Sequence, residues 1–476
     1  MIMKLKHLNI ALLAAAGFMF QGCSNDFLDV PSTEIIEAGD SDVKVTPEEF
    51  VNGIYGMFTE WDYAFSFLAI TDMISDNSDK GSEISDPGGD KMLFDELTFT
   101  TTAGSLESMW QRWYKSIGRA TESIKYTEEF GLTDAAYKNR LIGEAQYLRA
   151  LNYFYLVRGW GDIPIQEISV SERKPANEVY DYIVADLLAA IGNLPEKSAY
   201  PAKDLGRATK GAAQALLAKV YLYRQDWQNA FTMAKTVIGS GQYSLETDYA
   251  KIWRAETENG KESIFEFQGR GQSIAHGIQQ YSETQGPRGG TTPIGWGFNT
   301  PSQNLVDAFD AEGDAIRKDA TIIFDGETLW DGTLISSTIN PRYNEKAFSS
   351  ANRGSGDGDK NIRYMRLGEV YLILAEAANE LNNNSEALAA LNMVRDRVDL
   401  EIVNDNNQAS LRQKIWKERR LELAMEHDRW FDLVRTKQAE TAMKANGKAF
   451  LPKHYLFPIP EAQRVQTPEM SQNQDW

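Results

Sequence analysis

The chain has 476 residues and carries 49 basic against 68 acidic side chains, a formal net charge of −19 at pH 7. This acidity argues against nucleic acid as a partner, because neutralisation of phosphates by Lys and Arg supplies most of that affinity. The single cysteine excludes a disulfide framework within the chain, so packing must stabilise the fold, which a chain of this length can achieve.

The first 22 residues resemble a secretory signal. Basic Lys4 and Lys6 precede an apolar stretch that ends just before Cys23. A transmembrane helix needs about 20 apolar residues, and this stretch is shorter, so we interpret residues 1–22 as a lipoprotein signal peptide. A cysteine at this place is typical of lipid attachment, in which several acyl chains hold a protein on a membrane. An ordinary free cysteine is the alternative.

Residues 23–46 are polar and lack a sustained period, which predicts a lipid-anchored tether. Helical patterning follows, with apolar residues spaced three and four apart, and we interpret residues 47–476 as a single all-α domain. The predicted helices come in pairs with short connections and cover residues 137–160, 178–193, 207–224, 227–240, 362–382, 385–398, 411–426 and 428–438.

Two of these helix pairs repeat each other. Four apolar positions of the first pair recur 157 residues later in the second; they are Leu217, Ala218, Ala230 and Val237, matched by Leu374, Ala375, Ala387 and Val394. The alanines among them let two antiparallel helices approach closely, as in tetratricopeptide repeats. The sequence therefore predicts tetratricopeptide-like helix pairs.

Three segments between the helices have the composition of long loops. Residues 269–297 contain eight glycines, residues 353–359 form a polar glycine-containing run, and residues 75–90 (SDNSDKGSEISDPGGD) consist mostly of turn formers. Loops of this length inside a compact domain are usually functional or disordered.

Motifs spread over nearly the whole chain after Cys23 resemble the SusD-like (RagB/SusD) family of nutrient-uptake outer-membrane lipoproteins. They are found in the same order as in that family: DFLD at 26–29 with Pro31; EAQYLRA at 144–150 with YF at 153–154 and WGDIP at 160–164; RY at 363–364 with EVYLI at 369–373 and AEA at 375–377; ERRLEL at 418–423 with Glu426 and RWFDLVR at 429–435; and FPIP at 457–460 with Asn473.

The resemblance implies an N-terminal SusD-like part at about 47–240 and a C-terminal RagB/SusD part at about 260–476. It further implies a loop-rich insertion that forms a glycan-binding face. The family partner is a SusC-like TonB-dependent outer-membrane transporter, on which such a protein docks as a lid. The expected location is the outer membrane of a Gram-negative bacterium, with the protein lipid-anchored and facing the exterior.

A sugar offers flat C–H faces and rings of hydroxyls, so its sites pair exposed aromatic rings with a few polar groups. Aromatic residues in the loops are therefore candidate ligand-binding residues, and the polar residues near them are candidates for the hydroxyls. The candidates are Trp61, Tyr281, Trp296 and Trp330, with Asp72, Asp76, Asn77, Lys80 and Arg288. Each has a structural alternative, since aromatic residues are often core and polar clusters are often turns.

The motif charges Glu144, Arg149, Glu426 and Arg429 lie in apolar helices, so we expect them to form structural ion pairs.

Other functions have weaker support. The sequence has no H-E-x-x-H, G-x-S-x-G or P-loop motif, so we predict no enzyme activity and no cofactor. A carboxylate-pair glycosidase stays open as an alternative. A peptide-binding or protein-interaction lipoprotein is another, because tetratricopeptide-like arrays often hold peptides. The acidic loop at 76–83 lacks the order of calcium-binding residues, so a turn is preferred there to a metal site.

Overall fold

Helices with apolar stripes make up most of the computed structural model, which describes residues 45–86, 88–269, 277–292, 294–349 and 360–476. The predicted signal, Cys23 and the early DFLD motif lie outside the described residues, as does the 353–359 run. The helices of the N-terminal half are α1 (Pro47–Gly56), α2 (Trp61–Ala64), α3 (Ser66–Leu68), α4 (Lys91–Asp95), α5 (Gly104–Glu129), α6 (Ala135–Trp160), α7 (Ala176–Asn193), α8 (Lys210–Tyr223) and α9 (Trp227–Gly239).

The C-terminal half continues this pattern after a stretch that is richer in loops. Its helices are α10 (Tyr281–Gln285), α11 (Gln303–Glu312), α12 (Ala315–Asp319), α13 (Leu367–Glu380), α14 (Asn384–Asp396), α15 (Gln408–Glu422), α16 (Arg429–Arg435), α17 (Ala439–Ala445) and α18 (Glu461–Gln466). The predicted all-α class is confirmed, since helices dominate the described residues and the strands are few and short. Residues from Pro47 to Trp476 form one compact unit.

Two differences from the predicted helices have simple causes. Helix α5 was not among the predicted helices, although Leu106, Met109, Trp110, Trp113 and Ile117 follow helical spacing and are buried. The predicted helix at 362–382 begins only at residue 367, because residues 362–366 pair with another strand. An apolar run that enters a helix does not show from periodicity alone where strand becomes helix.

The predicted repeat is confirmed down to the ends of the helices. Lys210–Tyr223 corresponds to Leu367–Glu380 and Trp227–Gly239 to Asn384–Asp396, each 157 residues later. The turns also match. Gln225 and Asn382 both have φ +57°, and the next residues, Asp226 and Asn383, both cap the following helix with a side-chain oxygen. Helix α9 packs against α13, so the two pairs stack directly.

The core lies between α5 and α6 and extends into the repeats. Helix α6 is buried on nearly all sides from Leu141 onward. It begins where Asp134 accepts hydrogen bonds from Ala136 and Tyr137, and it ends at Gly161, whose φ of +72° suits glycine. Large aromatic rings fill this region. Trp113 stacks on Tyr155 with ring centroids 4.9 Å apart.

Short antiparallel strand pairs hold the loops on this helical frame. The strands are β1 (Ser78–Gly81), β2 (Ile163–Pro164), β3 (Arg173–Lys174), β4 (Ser263–Phe267), β5 (Phe298–Pro301), β6 (Ile322–Phe324), β7 (Arg342–Asn344) and β8 (Ile362–Arg366). They pair as β1–β5, β2–β3, β4–β8 and β6–β7. The β1–β5 pair joins two segments more than 200 residues apart in sequence.

The four motif charges form ion pairs, as predicted, with Glu144 buried and the other three half-buried. Arg149 donates two hydrogen bonds to Asp186, at 2.8 and 2.7 Å. Glu144 accepts from Arg207 at 3.0 Å. The remaining two motif charges behave in the same way: Arg429 binds Asp76, and Glu426 binds Arg366 and Lys346. These motifs therefore serve the fold.

Candidate functional site: an aromatic cluster between two loops

The described parts of two predicted loops, residues 75–90 and 269–297, contact each other. The β1–β5 pair aligns Ser78 with Pro301 and Gly81 with Phe298. Beyond the strands, Arg288 Nη1 donates to Ser82 Oγ at 2.7 Å and to Asp86 Oδ2 at 2.8 Å. The segment at 75–90 is thereby joined to the described part of 269–297.

Three half-buried aromatic rings gather where these segments approach α2. Trp61 and Phe65 stack with ring centroids 5.3 Å apart, and Trp61 and Trp296 lie 5.7 Å apart with their planes tilted by 58°. We call Trp61, Phe65 and Trp296 the aromatic cluster. Each ring packs against the core with one part and keeps another part open.

Backbone contacts fix the two tryptophans. Gly277 lies directly against the backbone of Trp61, where any side chain on residue 277 would overlap it. Trp296 N donates to Glu283 O at 2.7 Å, and Gly297 N donates to Gly286 O at 3.0 Å. Glycines in this loop thus allow close backbone packing, and the ring of Trp296 is presented from a defined position.

Charged groups border the aromatic cluster. Arg112 on α5 donates to Asp62 through Nε and Nη2, at 2.9 and 2.6 Å, and lies 3.4 Å from Glu60. The Lys91 ammonium lies 4.1 Å from the centroid of the Phe65 ring, and burial lowers the pKa of that lysine. Sequence reasoning missed Asp62, although it adjoins Trp61. It also missed Arg112, which lies 50 residues away and gives no local signal.

A second charged group lies at Arg288, which the sequence analysis did select. This side chain is partly exposed and bonds to Asp86, with Glu83 at 3.3 Å. Partial burial raises the pKa of Asp86, but hydrogen bonds from Arg288, Gly88 and Ser82 together outweigh it and hold that pKa below its usual range. Arg288 therefore holds the loop together and keeps part of its surface open.

The structure corrects the expectation for Tyr281. We expected an exposed ring, but the residue is only 5% exposed and its hydroxyl lies 2.8 Å from His427 Nε2. Burial raises the pKa of Tyr281. Residues 281–285 form the short helix α10, which turns this side chain inward. In this conformation the ring cannot stack on a sugar.

The polar residues Asp72, Asp76, Asn77 and Lys80 are likewise buried, which contradicts the expectation that they are open to sugar hydroxyls. Asp76 forms paired hydrogen bonds with Arg429, both 2.7 Å long. This pairing makes the burial of Asp76 possible, since a buried carboxylate needs cationic or hydrogen-bonding partners.

The other three polar residues have comparable partners. Asp72 Oδ2 lies 2.7 Å from His427 Nδ1, Asn77 Oδ1 accepts from Arg420, and Lys80 donates to the carbonyls of Glu83 and Asp86. Asp76 and Asn77 thus attach the 75–90 segment to Arg429 on α16 and Arg420 on α15, whereas the bonds of the Lys80 ammonium lie within the segment. The preferred turn interpretation of this loop fits these contacts.

Trp330 is the most exposed of the predicted aromatic residues, at 44%. It lies between β6 and β7. The Arg254 guanidinium carbon is 3.3 Å from its ring centroid and covers one face, while Phe348 meets it edge-on. The rest of the indole remains exposed.

Metal sites and membrane spans are two further kinds of functional feature. In the described part of the chain, no group of three or more His, Cys, Asp or Glu side chains has the arrangement of a metal site. Among the described helices, none combines the length and apolar composition needed to cross a bilayer.

Half-open indoles beside a carboxylate and a guanidinium suit a ligand with both apolar faces and hydroxyls. The rings provide flat contact area at low entropic cost, and Asp62 and Arg112 offer an acceptor and donors at the edge.

Comparison with known proteins gives two family matches. A model described as "SusD family" matches residues 329–476, and one described as "Starch-binding associating with outer membrane" matches residues 26–222. The chain is 30% identical to "SusD-like protein P2" of Formosa agariphila over 89% of this chain and 90% of that protein. It is 26% identical to "Starch-binding protein SusD" of Bacteroides thetaiotaomicron over 73% of this chain and 74% of that protein.

The solved structure of a "Laminarin binding SusD-like protein" superposes with a TM-score of 0.78 at 27% identity, covering 90% of this chain and 99% of that one. The helical frame, the order of the motifs and the similarity over nearly the full length agree. The chain belongs to the SusD-like family.

Proposed function

We propose that this protein is a cell-surface glycan-binding lipoprotein without enzyme activity. It captures oligo- or polysaccharide and delivers it to a SusC-like TonB-dependent outer-membrane transporter. The observation that carries the proposal is the aromatic cluster, where Trp61 and Trp296 from distant segments meet 5.7 Å apart and stay partly open. The names of the starch-binding and laminarin-binding relatives support glycan as the ligand class.

The cluster explains how such binding works. A sugar ring lies with its C–H face against an indole, and its hydroxyls reach Asp62 and Arg112 at the edge. An open platform of two or three rings gives modest affinity, micromolar to millimolar, or about 4–8 kcal/mol. A lipid anchor at Cys23 compensates by keeping the protein beside its transporter, which raises the effective ligand concentration there.

A glycan array tests the ligand class. The full-length chain is applied to α- and β-glucans, mannans, xylans, galactans, fructans and host glycans, and hits are measured by isothermal titration. We expect binding to at least one of these glycans without release of reducing ends. Binding of peptides with no binding to any glycan would favour the peptide-binding alternative, and release of reducing ends would favour a glycosidase.

Anchoring and partnership need separate measurements. Metabolic labelling with a palmitate analogue should modify the wild type and leave Cys23→Ser unlabelled. Purification in mild detergent from the native outer membrane should retain a barrel transporter. Absence of the label would exclude lipid attachment, and absence of a transporter would exclude stable docking.

A further inference from the structure

A second cleft lies on the helical repeats. It is formed by the turn between α8 and α9, by α13 of the second repeat, by α15 and by the end of α16. Its volume is about 380 Å³, within the range of ~300–1,000 Å³ that small-molecule sites occupy. Both walls carry half-buried aromatic residues, Tyr223 and Trp227 on one side and Trp416 on the other.

The wall at Trp416 is rigidly built. Glu376 and Glu380 lie four residues apart on α13, and Arg412 and Trp416 lie four apart on α15, so two parallel hydrogen-bonded contacts join these helices. Trp416 Nε1 donates to Glu376 Oε1 at 2.9 Å, and Arg412 donates to both oxygens of Glu380.

Further contacts support the carboxylate that orients Trp416. Arg435 donates to both oxygens of Glu376, at 2.7 and 2.8 Å, and to Asp432 at 2.6 Å. The indole is therefore oriented by a continuous chain of hydrogen bonds while part of its surface lines an open cleft. A ring fixed in this way loses little entropy when a ligand stacks on it.

The rim carries polar groups suited to hydroxyls. Gln225 and Lys437 are exposed at the cleft and offer an amide and an ammonium. The carboxylates and Arg435 are already bonded to one another, so the cleft presents no uncompensated charge cluster that would select an ion. Flat rings with uncharged and cationic donors at their edge match a neutral sugar.

We propose that this cleft, which we call the repeat cleft, is a second oligosaccharide-binding site, with Trp416 and Trp227 as its platforms. The inference rests on the proposed glycan-binding function. It adds a site on the face of the helical repeats, apart from the aromatic cluster. Two weak sites on one protein retain a long polysaccharide better than either site alone when a single polysaccharide molecule spans both.

Fluorine NMR can test the repeat cleft separately. The full-length chain is labelled with 5-fluorotryptophan, single Trp→Phe variants assign the resonances, and laminarihexaose, maltohexaose and the strongest oligosaccharide from the array are titrated. We expect the Trp227 and Trp416 resonances to shift with millimolar midpoints, also in Trp296→Ala. The Trp476 resonance is the internal control and should not move.

Two variants sharpen the result. Trp416→Ala should weaken the response of Trp227 at least tenfold, and if that variant does not fold, Trp227→Ala is read at Trp416. If Trp61 and Trp296 respond but Trp227 and Trp416 do not, the repeat cleft is not a sugar site and the proposed function stands. If no tryptophan responds to any of the three sugars, both proposals fail.

Discussion

The charge cluster around Glu422 and the aromatic cluster both contain carboxylate–guanidinium pairs, but these pairs are buried in the first region and partly exposed in the second. Glu422 is fully buried and bound by Arg317, Arg366 and Arg397. At the aromatic cluster, Arg112 pairs with Asp62 and Glu60, and all three side chains stay partly exposed beside half-open rings. In the first region every charge is committed to a partner, whereas in the second some surface remains for a ligand. The extent of burial, more than residue type, separates scaffold from site.

The largest effect should come from Glu422→Gln. It leaves three buried guanidinium groups with less compensation, which costs about 3–5 kcal/mol of unfolding free energy. Urea unfolding measures this loss. Glu440→Gln is the control, because Glu440 forms an exposed pair with Lys444 and should change stability by less than about 0.5 kcal/mol. Equal losses in both variants would remove the distinction between the two regions.

The next effect concerns acid stability. Burial raises the pKa of Asp76, but Arg429 and Arg420 outweigh it and hold that pKa well below its usual range. A depressed folded pKa gives stability that is present above the unfolded value of about 3.9 and is lost as the pH falls toward the folded value.

Asp76→Asn should therefore make the unfolding free energy less dependent on pH in the acidic range. Between pH 7 and pH 3, its unfolding free energy should fall less than that of the wild type, by about 2 kcal/mol or less. Urea titrations at several pH values measure the difference. An unchanged slope would show that the Asp76–Arg429 pair contributes nothing to acid stability.

A pair of variants in one segment tests the open and the buried aromatic residue. Trp296→Ala should weaken glycan binding about tenfold, which corresponds to ~1.4 kcal/mol of binding free energy. Its effect on the unfolding free energy should be smaller than this loss of binding. Tyr281→Phe should leave binding unchanged and cost about 1 kcal/mol of stability, because it removes the contact with His427. Calorimetric titration and thermal unfolding measure the two. If Tyr281→Phe weakens binding and Trp296→Ala does not, the ligand contacts Tyr281 instead of Trp296.

The smallest effect is expected for Trp330→Ala. Its indole lies on a separate hairpin, so it should reduce affinity for long polysaccharide by about threefold and leave short oligosaccharides unaffected. Affinity electrophoresis with polysaccharide and titration with a hexasaccharide separate the two. Equal losses for both ligands would place Trp330 in the same site as Trp296.

Sequence reasoning was most successful where local pattern governs structure. The helix pairs, the 157-residue repeat and the structural role of Arg149 follow from spacing, because helical periodicity fixes which side chains share a face. It was least successful in the loops. Tyr281 and Trp296 lie 15 residues apart in one glycine-rich segment, and nothing local indicates that one is buried and the other half-open.

The sequence by itself determined the helical class, the repeat, the family resemblance and the segments in which a site could form. Tertiary structure alone decided that Trp61 and Trp296 meet, that Arg112 borders them and that Asp76 is bound by Arg429. The physical reason is that burial and pairing are set by residues distant in the chain. Local spacing specifies a helix, but only the packed molecule specifies which rings and charges stay partly exposed.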